Sequence, residues 1–236
     1  MYFSEKLRGA FRLMTGKNSR TVGNDTVIPV VPLPDLLAGA PNVTLRGVHF
    51  DDGNVSPFEL FALATLVADS APKCVFEIGT FNGNTTLQMA ENSPHDSTVL
   101  TLDLPVSNTS TAAPVDSEDV KYIESQMRRN RRYAGTQVAV KITELFGDSA
   151  DFDFGNALGS RRIDFAFIDG SHSYEYVKSD TEKIFRHLAL NATVLWHDYQ
   201  PFWYGVCRFL TEFREYYPVC HIEGTSLVYL RLVEQR

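Results

Sequence analysis

Apolar and polar positions follow two different periods along this chain, and the switches between them predict its elements. Short, mostly apolar runs of strand length predict strands over residues 74–78, 98–103, 138–143, 163–169 and 192–197. Segments with apolar residues three and four apart lie between them and predict helices over 85–91, 117–133, 150–158, 174–190 and 203–216. Val177, Ile184, Phe185 and Leu188 carry the periodicity of the fourth. Ahead of the first strand, Ser56-Pro57-Phe58-Glu59 offers a serine N-cap, a proline at the first helical position and a glutamate to close a capping box. That helix should run to about residue 69. Strands alternating with helices of this length imply an α/β protein with a parallel sheet covered on both faces. The chain end differs: 219–222 and 227–232 are strand-like, and the short Glu223-Gly224-Thr225-Ser226 joins them as an antiparallel hairpin.

At the other end, Phe3, Leu7, Phe11 and Met14 recur at helical spacing, with Lys6, Arg8, Arg12 and Lys17 on other faces. This amphipathic helix reads as an arm packed on the domain or on a second copy in a homodimer, with an anionic membrane surface as the alternative. Residues 23–52 are rich in Pro, Gly and Val and read as an irregular connector, so the expected organisation is 1–52 followed by a folded domain over 53–236. The stretches 105–116 and 199–202 fit neither period. Both follow strand ends, where open α/β sheets place ligands, and the first is a candidate cover over a substrate.

Composition narrows the picture. A chain of 236 residues with 44% hydrophobic content can bury one substantial core with an N-terminal extension, not two full domains. A net charge of -7 argues against a nucleic-acid partner, which would select a basic field. Cys74, Cys207 and Cys220 form no disulfide framework or CxxC pair, which fits a cytoplasmic setting. The N-terminus lacks a signal-peptide core, and no apolar run is long enough for a transmembrane segment.

The chemistry-bearing motif is Glu77-Ile78-Gly79-Thr80-Phe81-Asn82-Gly83, a strand running into a glycine turn and a helix. Such a turn lets a ligand approach backbone N–H groups at a helix start. A dinucleotide loop would carry G-x-G-x-x-G; here two glycines stand four apart behind an acid. A carboxylate there repels pyrophosphate and attracts, directly or through water, the ammonium and sulfonium of S-adenosylmethionine. Asp103 ends the next strand, placed for ribose hydroxyls, and Asp148-Ser149 follows the third, placed for an adenine edge. Singly, each acid could be a solvated loop residue; as a series at successive strand ends they form a pattern.

E-x-G-x-x-x-G, an acid after the second strand and Phe146-Gly147-Asp148-Ser149 after the third resemble class I S-adenosylmethionine-dependent methyltransferases over about residues 56–232. Phe167-Ile168-Asp169-Gly170-Ser171-His172-Ser173-Tyr174 and Leu195-Trp196-His197-Asp198-Tyr199 are similar to the metal-assisted small-molecule O-methyltransferases of the catechol, caffeoyl-CoA and macrolide-sugar types. The resemblance implies a Rossmann-like, seven-stranded, mostly parallel sheet with helices on both faces and a C-terminal antiparallel hairpin. It implies cofactor contacts from Glu77, Gly79, Phe81, Gly83, Thr85, Asp103, Leu104, Asp148 and Ser149.

It also implies a divalent metal, magnesium or manganese, held by Asp169, His197 and Asp198, to acidify a hydroxyl acceptor in natural-product, sugar or phenol chemistry. His197 departs from the oxygen-rich pattern, so either the ion differs or this imidazole acts as a base. His172 stands three residues after Asp169, where relatives place a proton acceptor, and is either the catalytic base or a helix cap. The run Arg128, Arg129, Arg131 and Arg132 reads as a solvated helix end. Trp196, Tyr199, Phe202, Trp203 and Tyr204 frame an acceptor or belong to the core. The alternatives are a hydroxylase-like relative on the same fold and a non-catalytic nucleoside-binding or partner-docking protein.

Overall fold

The computed structural model describes residues 27–48, 53–105, 111–125 and 130–232 of the chain. The amphipathic pattern over Phe3, Leu7, Phe11 and Met14, with the dimer-forming arm expected from it, lies outside the described residues, as do Arg128 and Arg129.

Eight strands form one sheet: β1 Val30–Val31, β2 Cys74–Ile78, β3 Thr98–Asp103, β4 Ile142–Phe146, β5 Ile163–Ile168, β6 Leu188–Trp196, β7 Cys220–Ile222 and β8 Val228–Arg231. Their order is β1-β7-β8-β6-β5-β2-β3-β4. The helices among the described residues are α1 Pro57–Ser70, α2 Asn84–Asn92, α3 Asp119–Ser125, α4 Phe154–Leu158, α5 Tyr174–Phe185 and α6 Tyr204–Phe213. Strand β8 runs antiparallel to both β6 and β7, and the remaining pairs are parallel. The Rossmann-like expectation holds with one strand added. Pro29 and Pro32 flank Val30–Val31 and favour extended backbone, and this edge strand pairs with β7 inside the stretch read as connector.

Side chains on β2 alternate between two cores, as a strand's period of two requires. Phe76 and Ile78 pack with Phe154 of α4, Val177 and Ile184 of α5 and Phe209 of α6. Val75 packs on the other face with Leu60 and Leu63 of α1 and Met89 of α2. Burial on both faces explains why the central strands read as unbroken apolar runs. The capping box forms as expected: Glu59 accepts from the Ser56 N–H at 2.8 Å, and the Glu59 N–H donates to Ser56 Oγ at 3.3 Å.

Local pattern misplaces two boundaries and one side chain. The strand expected over 138–143 is β4, starting at Ile142, because Lys141 donates to the carbonyls of Ala90 (2.6 Å) and Ser93 (2.9 Å) at the end of α2. That anchor draws Gln137–Lys141 into a 3-10 turn and leaves Val140 89% exposed. The helix expected over 174–190 stops at Phe185, since Leu188 pairs with Ile163 as the start of β6. Arg131 is no solvated helix end: its guanidinium lies 2.5 Å from Glu144 of β4 and donates to the Phe81 carbonyl. Among the described residues no helix is long and apolar enough to cross a membrane.

Asp180 of α5 is fully buried, and neither carboxyl oxygen meets a well-formed donor. Burial pushes its pKa from 3.8 up to about 7 against the pull of Ser149 and Lys183. A raised carboxyl pKa means stability is fullest at low pH and is lost as pH rises through the interval up to about 7. Asp180→Asn removes that loss, so its stability relative to the native chain should improve by ~2–3 kcal/mol between about pH 5 and about pH 8. Thermal unfolding at both values checks this; a pH-independent difference would refute it.

Candidate active site

The five parallel strands β2 to β6 end at one edge of the sheet, and backbone hydrogen bonds extend the ladder one residue beyond them. Gly79 N donates to Leu102 O (2.9 Å), Asp169 N to Ile78 O (2.9 Å) and His197 N to Ile168 O (3.1 Å). The first residue past β2, β5 and β6 is therefore held in sheet register before the loops diverge. Their divergence opens a cavity of about 360 Å³. Past the first set of strand ends, β2 to β4, it is lined by Gly79, Phe81, Thr85, Asp103 and Leu104, with Asp148 and Ser149 beside them; past the second, β5 and β6, by Asp169, His172, His197 and Asp198.

At the first set, Gly79 is the tightest point. Its φ is +98°, and a Cβ there would lie 1.9 Å from the Asp169 carbonyl oxygen, so glycine alone lets β2 and β5 end side by side. Phe81 takes a positive φ of 49° and donates its N–H to Asp103 Oδ2 at 2.8 Å, while Asp103 Oδ1 accepts from Leu104 N at 2.8 Å. The acid expected to meet ribose thus also shapes the turn.

Glu77 sits deeper than the sequence suggests. It is wholly buried and accepts hydrogen bonds from Thr85 (2.5 Å), Thr101 (2.6 Å) and Thr86. Burial pushes its pKa up to about 7 against those hydroxyls. It braces the start of α2 against β3 behind the loop. Gly83 also faces away from the cavity, since a Cβ there would meet the Tyr133 ring at 2.6 Å. Asp148 is engaged too: Oδ1 accepts from Ala150 N (2.8 Å), and Oδ2 from Ala112 N (2.6 Å) and the Tyr176 hydroxyl (2.7 Å).

The second set carries a chain of carboxylates and imidazoles. His172 Nε2 lies 2.6 Å from Asp198 Oδ2, and its Nδ1 pairs with Asp119. His197 Nδ1 lies 2.9 Å from Asp169 Oδ1 and 3.1 Å from Asp198 Oδ2, with its Nε2 3.5 Å from Glu59. Burial pulls both imidazoles towards neutrality, but the carboxylates outweigh it, raising His172 to about 9 and His197 well above its ordinary value. Conversely, burial would raise Asp198 and Glu59, yet the histidines hold both well below the carboxylate range, with Ser226 assisting at Glu59. Asp198 adopts a positive φ of 62°, local strain of the kind that concentrates at functional sites. Asp169, His172 and Asp198 present ligand-type atoms within 4.8 Å of one another.

The structure thus brings both histidines and both expected acids together, adds Asp119 and Glu59, which the sequence does not mark as site residues, and gives Trp203 of the aromatic group a partner. Asp119 reads in sequence as an ordinary first-turn acid of a helix. Glu59 reads as a capping residue, yet its second oxygen accepts from Ser226 N and Oγ, both at 2.7 Å, tying α1 to the hairpin beneath His197. Trp203 stacks on His172 with ring centroids 3.7 Å apart and planes 14° from parallel. No local periodicity announces these contacts.

The likenesses among solved structures are of fold. The O-methyltransferase TomG from Streptomyces achromogenes, involved in tomaymycin synthesis and solved with SAM, is 19% identical with a TM-score of 0.55, over 79% of this chain and 84% of that one. An O-methyltransferase from Bacillus cereus, solved with SAH, is 16% identical with a TM-score of 0.52, over 78% and 84%. CalS11, a TDP-rhamnose 3'-O-methyltransferase of calicheamicin biosynthesis, is 17% identical with a TM-score of 0.51, over 97% and 93%. A search of curated proteins finds no match. A family model described as Methyltransferase domain matches residues 76–199, more than half the chain, so the chain belongs to the methyltransferase-domain family, the S-adenosylmethionine-dependent class that its motifs resemble.

Proposed function

We propose that the protein transfers the methyl group of S-adenosylmethionine to a hydroxyl of a small molecule, with S-adenosylhomocysteine leaving. The observation that carries this reading is one cavity lined both by a glycine loop with Asp103 and by a carboxylate-held imidazole, His172. The new O–CH3 bond forms as the S–CH3 bond breaks, and the hydroxyl proton passes to His172 in its neutral form, at the Nε2 that gives up its contact with Asp198 Oδ2. Gly79, Phe81, Thr85, Asp103 and Leu104 hold the cofactor, and Asp148 and Ser149 shape its adenine end. Glu77 and Gly83 act from behind, keeping the loop in place. Phe202 and Trp203 line the acceptor side and offer flat apolar surface to a phenol or sugar ring, as natural-product acceptors present.

The donor set fits a divalent ion. His197 Nδ1 faces Asp169 Oδ1 at 2.9 Å and Asp198 Oδ2 at 3.1 Å, close to the ~3 Å between adjacent ligands on metals with bonds of ~2.1 Å. Asp169 and Asp198 would hold it with one imidazole, either His197, which leaves His172 for the proton, or His172, whose ligand atom lies with theirs within 4.8 Å; a mixed carboxylate and imidazole set suits manganese better than magnesium. Such an ion would lower the pKa of the acceptor hydroxyl.

Calorimetry with S-adenosylhomocysteine tests the reading. The native chain should bind it, and Asp103→Ala should weaken binding about tenfold or more; absence of binding to the native chain would sink the proposal. In the turnover assay the product should gain one methylene rather than one oxygen. Chelation should suppress turnover and added manganese restore it, while turnover indifferent to chelator would remove the metal and leave methyl transfer intact.

A further inference from the structure

The segment from Thr111 to Ile123 lines the cavity through Thr111, Val115, Asp119, Tyr122 and Ile123 and contacts its other walls. At its start, Ala112 N donates to Asp148 Oδ2 at 2.6 Å and Ala113 N to the Tyr176 hydroxyl at 3.4 Å. Towards its end, Tyr122 packs edge-on against Phe81 of the glycine loop, with ring centroids 6.0 Å apart and planes at 84°. Between these contacts Asp119, which is only 4% exposed, accepts from Ser171 Oγ at 2.8 Å, from His172 N at 3.0 Å and pairs with His172 Nδ1. One short stretch therefore binds the adenine turn, the glycine loop and the base.

We propose that residues 111–123 form a strap that couples occupancy of the cofactor cleft to the position of His172, with Asp119 as the positioning residue. This rests on the cofactor reading above. Thr111, Val115, Tyr122 and Ile123 line the same cavity as Gly79 and Asp103, so a nucleoside there gains contacts from the strap and favours its seated arrangement over others. Seating brings Asp119 to His172. The three hydrogen bonds at Asp119 and the contact with Asp198 leave that imidazole a single orientation, with Nδ1 on Asp119, Nε2 on Asp198 Oδ2 and the ring flat on Trp203. Gly205 permits the close approach of α6 that carries Trp203 there, since a Cβ on it would lie 2.4 Å from the His172 carbonyl oxygen. Cofactor occupancy thus steadies the base through the strap.

Hydrogen exchange with S-adenosylhomocysteine as the probe tests this on the full chain. In the native protein the ligand should slow exchange in peptides covering 79–85, 112–123 and 171–174 together. Asp119→Asn keeps the side chain's shape but loses its charge. In the liganded state it should speed exchange at 117–123 and 171–174 by about ten- to a hundredfold, the scale of lost charge-assisted hydrogen bonds, with 79–85 still protected. Tyr176→Phe should loosen the other end, 112–115, without releasing His172. A merely structural Asp119 would instead change exchange equally with and without ligand, which would overturn the proposal. Protection at 79–85 with an indifferent strap would overturn it and leave the cofactor reading standing; no protection at 79–85 would overturn both.

Discussion

His172→Gln should lower kcat for methyl transfer by about a hundred- to ten-thousandfold, the range for loss of a positioned base. Its affinity for S-adenosylhomocysteine should stay within about twofold of the native value. The two halves of this expectation have separate origins. The imidazole lies past β5, between Asp119 and Asp198 and flat against Trp203, while Gly79 and Asp103 lie past β2 and β3 and make none of those contacts. Glutamine can fill much of the volume and keep one hydrogen bond, so the fold should survive, but it has no basic nitrogen. Only the neutral imidazole can take a proton, and the flanking carboxylates favour its charged form, with a pKa of about 9. The native rate should therefore rise with pH through neutrality, and the variant should lack that rise. Kinetics on a catechol, phenol or glycoside found by turnover, alongside calorimetry, provide both numbers. A fall in kcat below about fivefold would move the base elsewhere.

Gly79→Ala should be the most damaging small substitution in the chain, costing ~3 kcal/mol or more and lowering Tm by ~6–12 °C. The added methyl would lie 1.9 Å from the Asp169 carbonyl oxygen and 2.6 Å from its carbon, which are backbone atoms that no rotamer change can move. Relief requires β2 and β5 to part where the ladder runs from Asp169 N to Ile78 O. The cofactor turn and the first acid of the catalytic end would shift together, so binding and turnover should fall with stability. Gly135 is the matched control, having a similar positive φ of 74° but no atom within 4 Å of a built Cβ. Gly135→Ala should lose only the ~1 kcal/mol of left-handed backbone. Thermal unfolding of both variants separates crowding from backbone strain; equal losses would show that φ, not the approach of Asp169, makes glycine necessary at 79.

Strand order along the chain was legible because β2, β3 and β5 are buried on both faces and read as apolar runs without help from the rest of the fold. The capping box at Ser56 and Glu59 was legible for a similar reason, since both partners lie within one turn. Failures came where a distant group outweighed local pattern: Lys141 reaching the end of α2, Leu188 pairing with Ile163, Arg131 turning inward to Glu144. Glu77 shows the same limit inside a motif. In sequence its carboxylate faces the ligand, yet three threonines, one of them on β3, take up both of its oxygens.

By itself the sequence determined the α/β alternation, the glycine loop with its acids at successive strand ends, and the presence of Asp169, His172, His197 and Asp198 past β5 and β6. These follow from residue type and short spacing, which fix periodicity and backbone freedom locally. Only the tertiary structure decided what each group faces. It gave His172 to Asp119 and Asp198, set His197 among Asp169, Asp198 and Glu59, and withdrew Glu77 behind the loop. Charge state, hydrogen-bond partner and access depend on groups far away in sequence, brought within about 3 Å by the packing of the sheet against its helices.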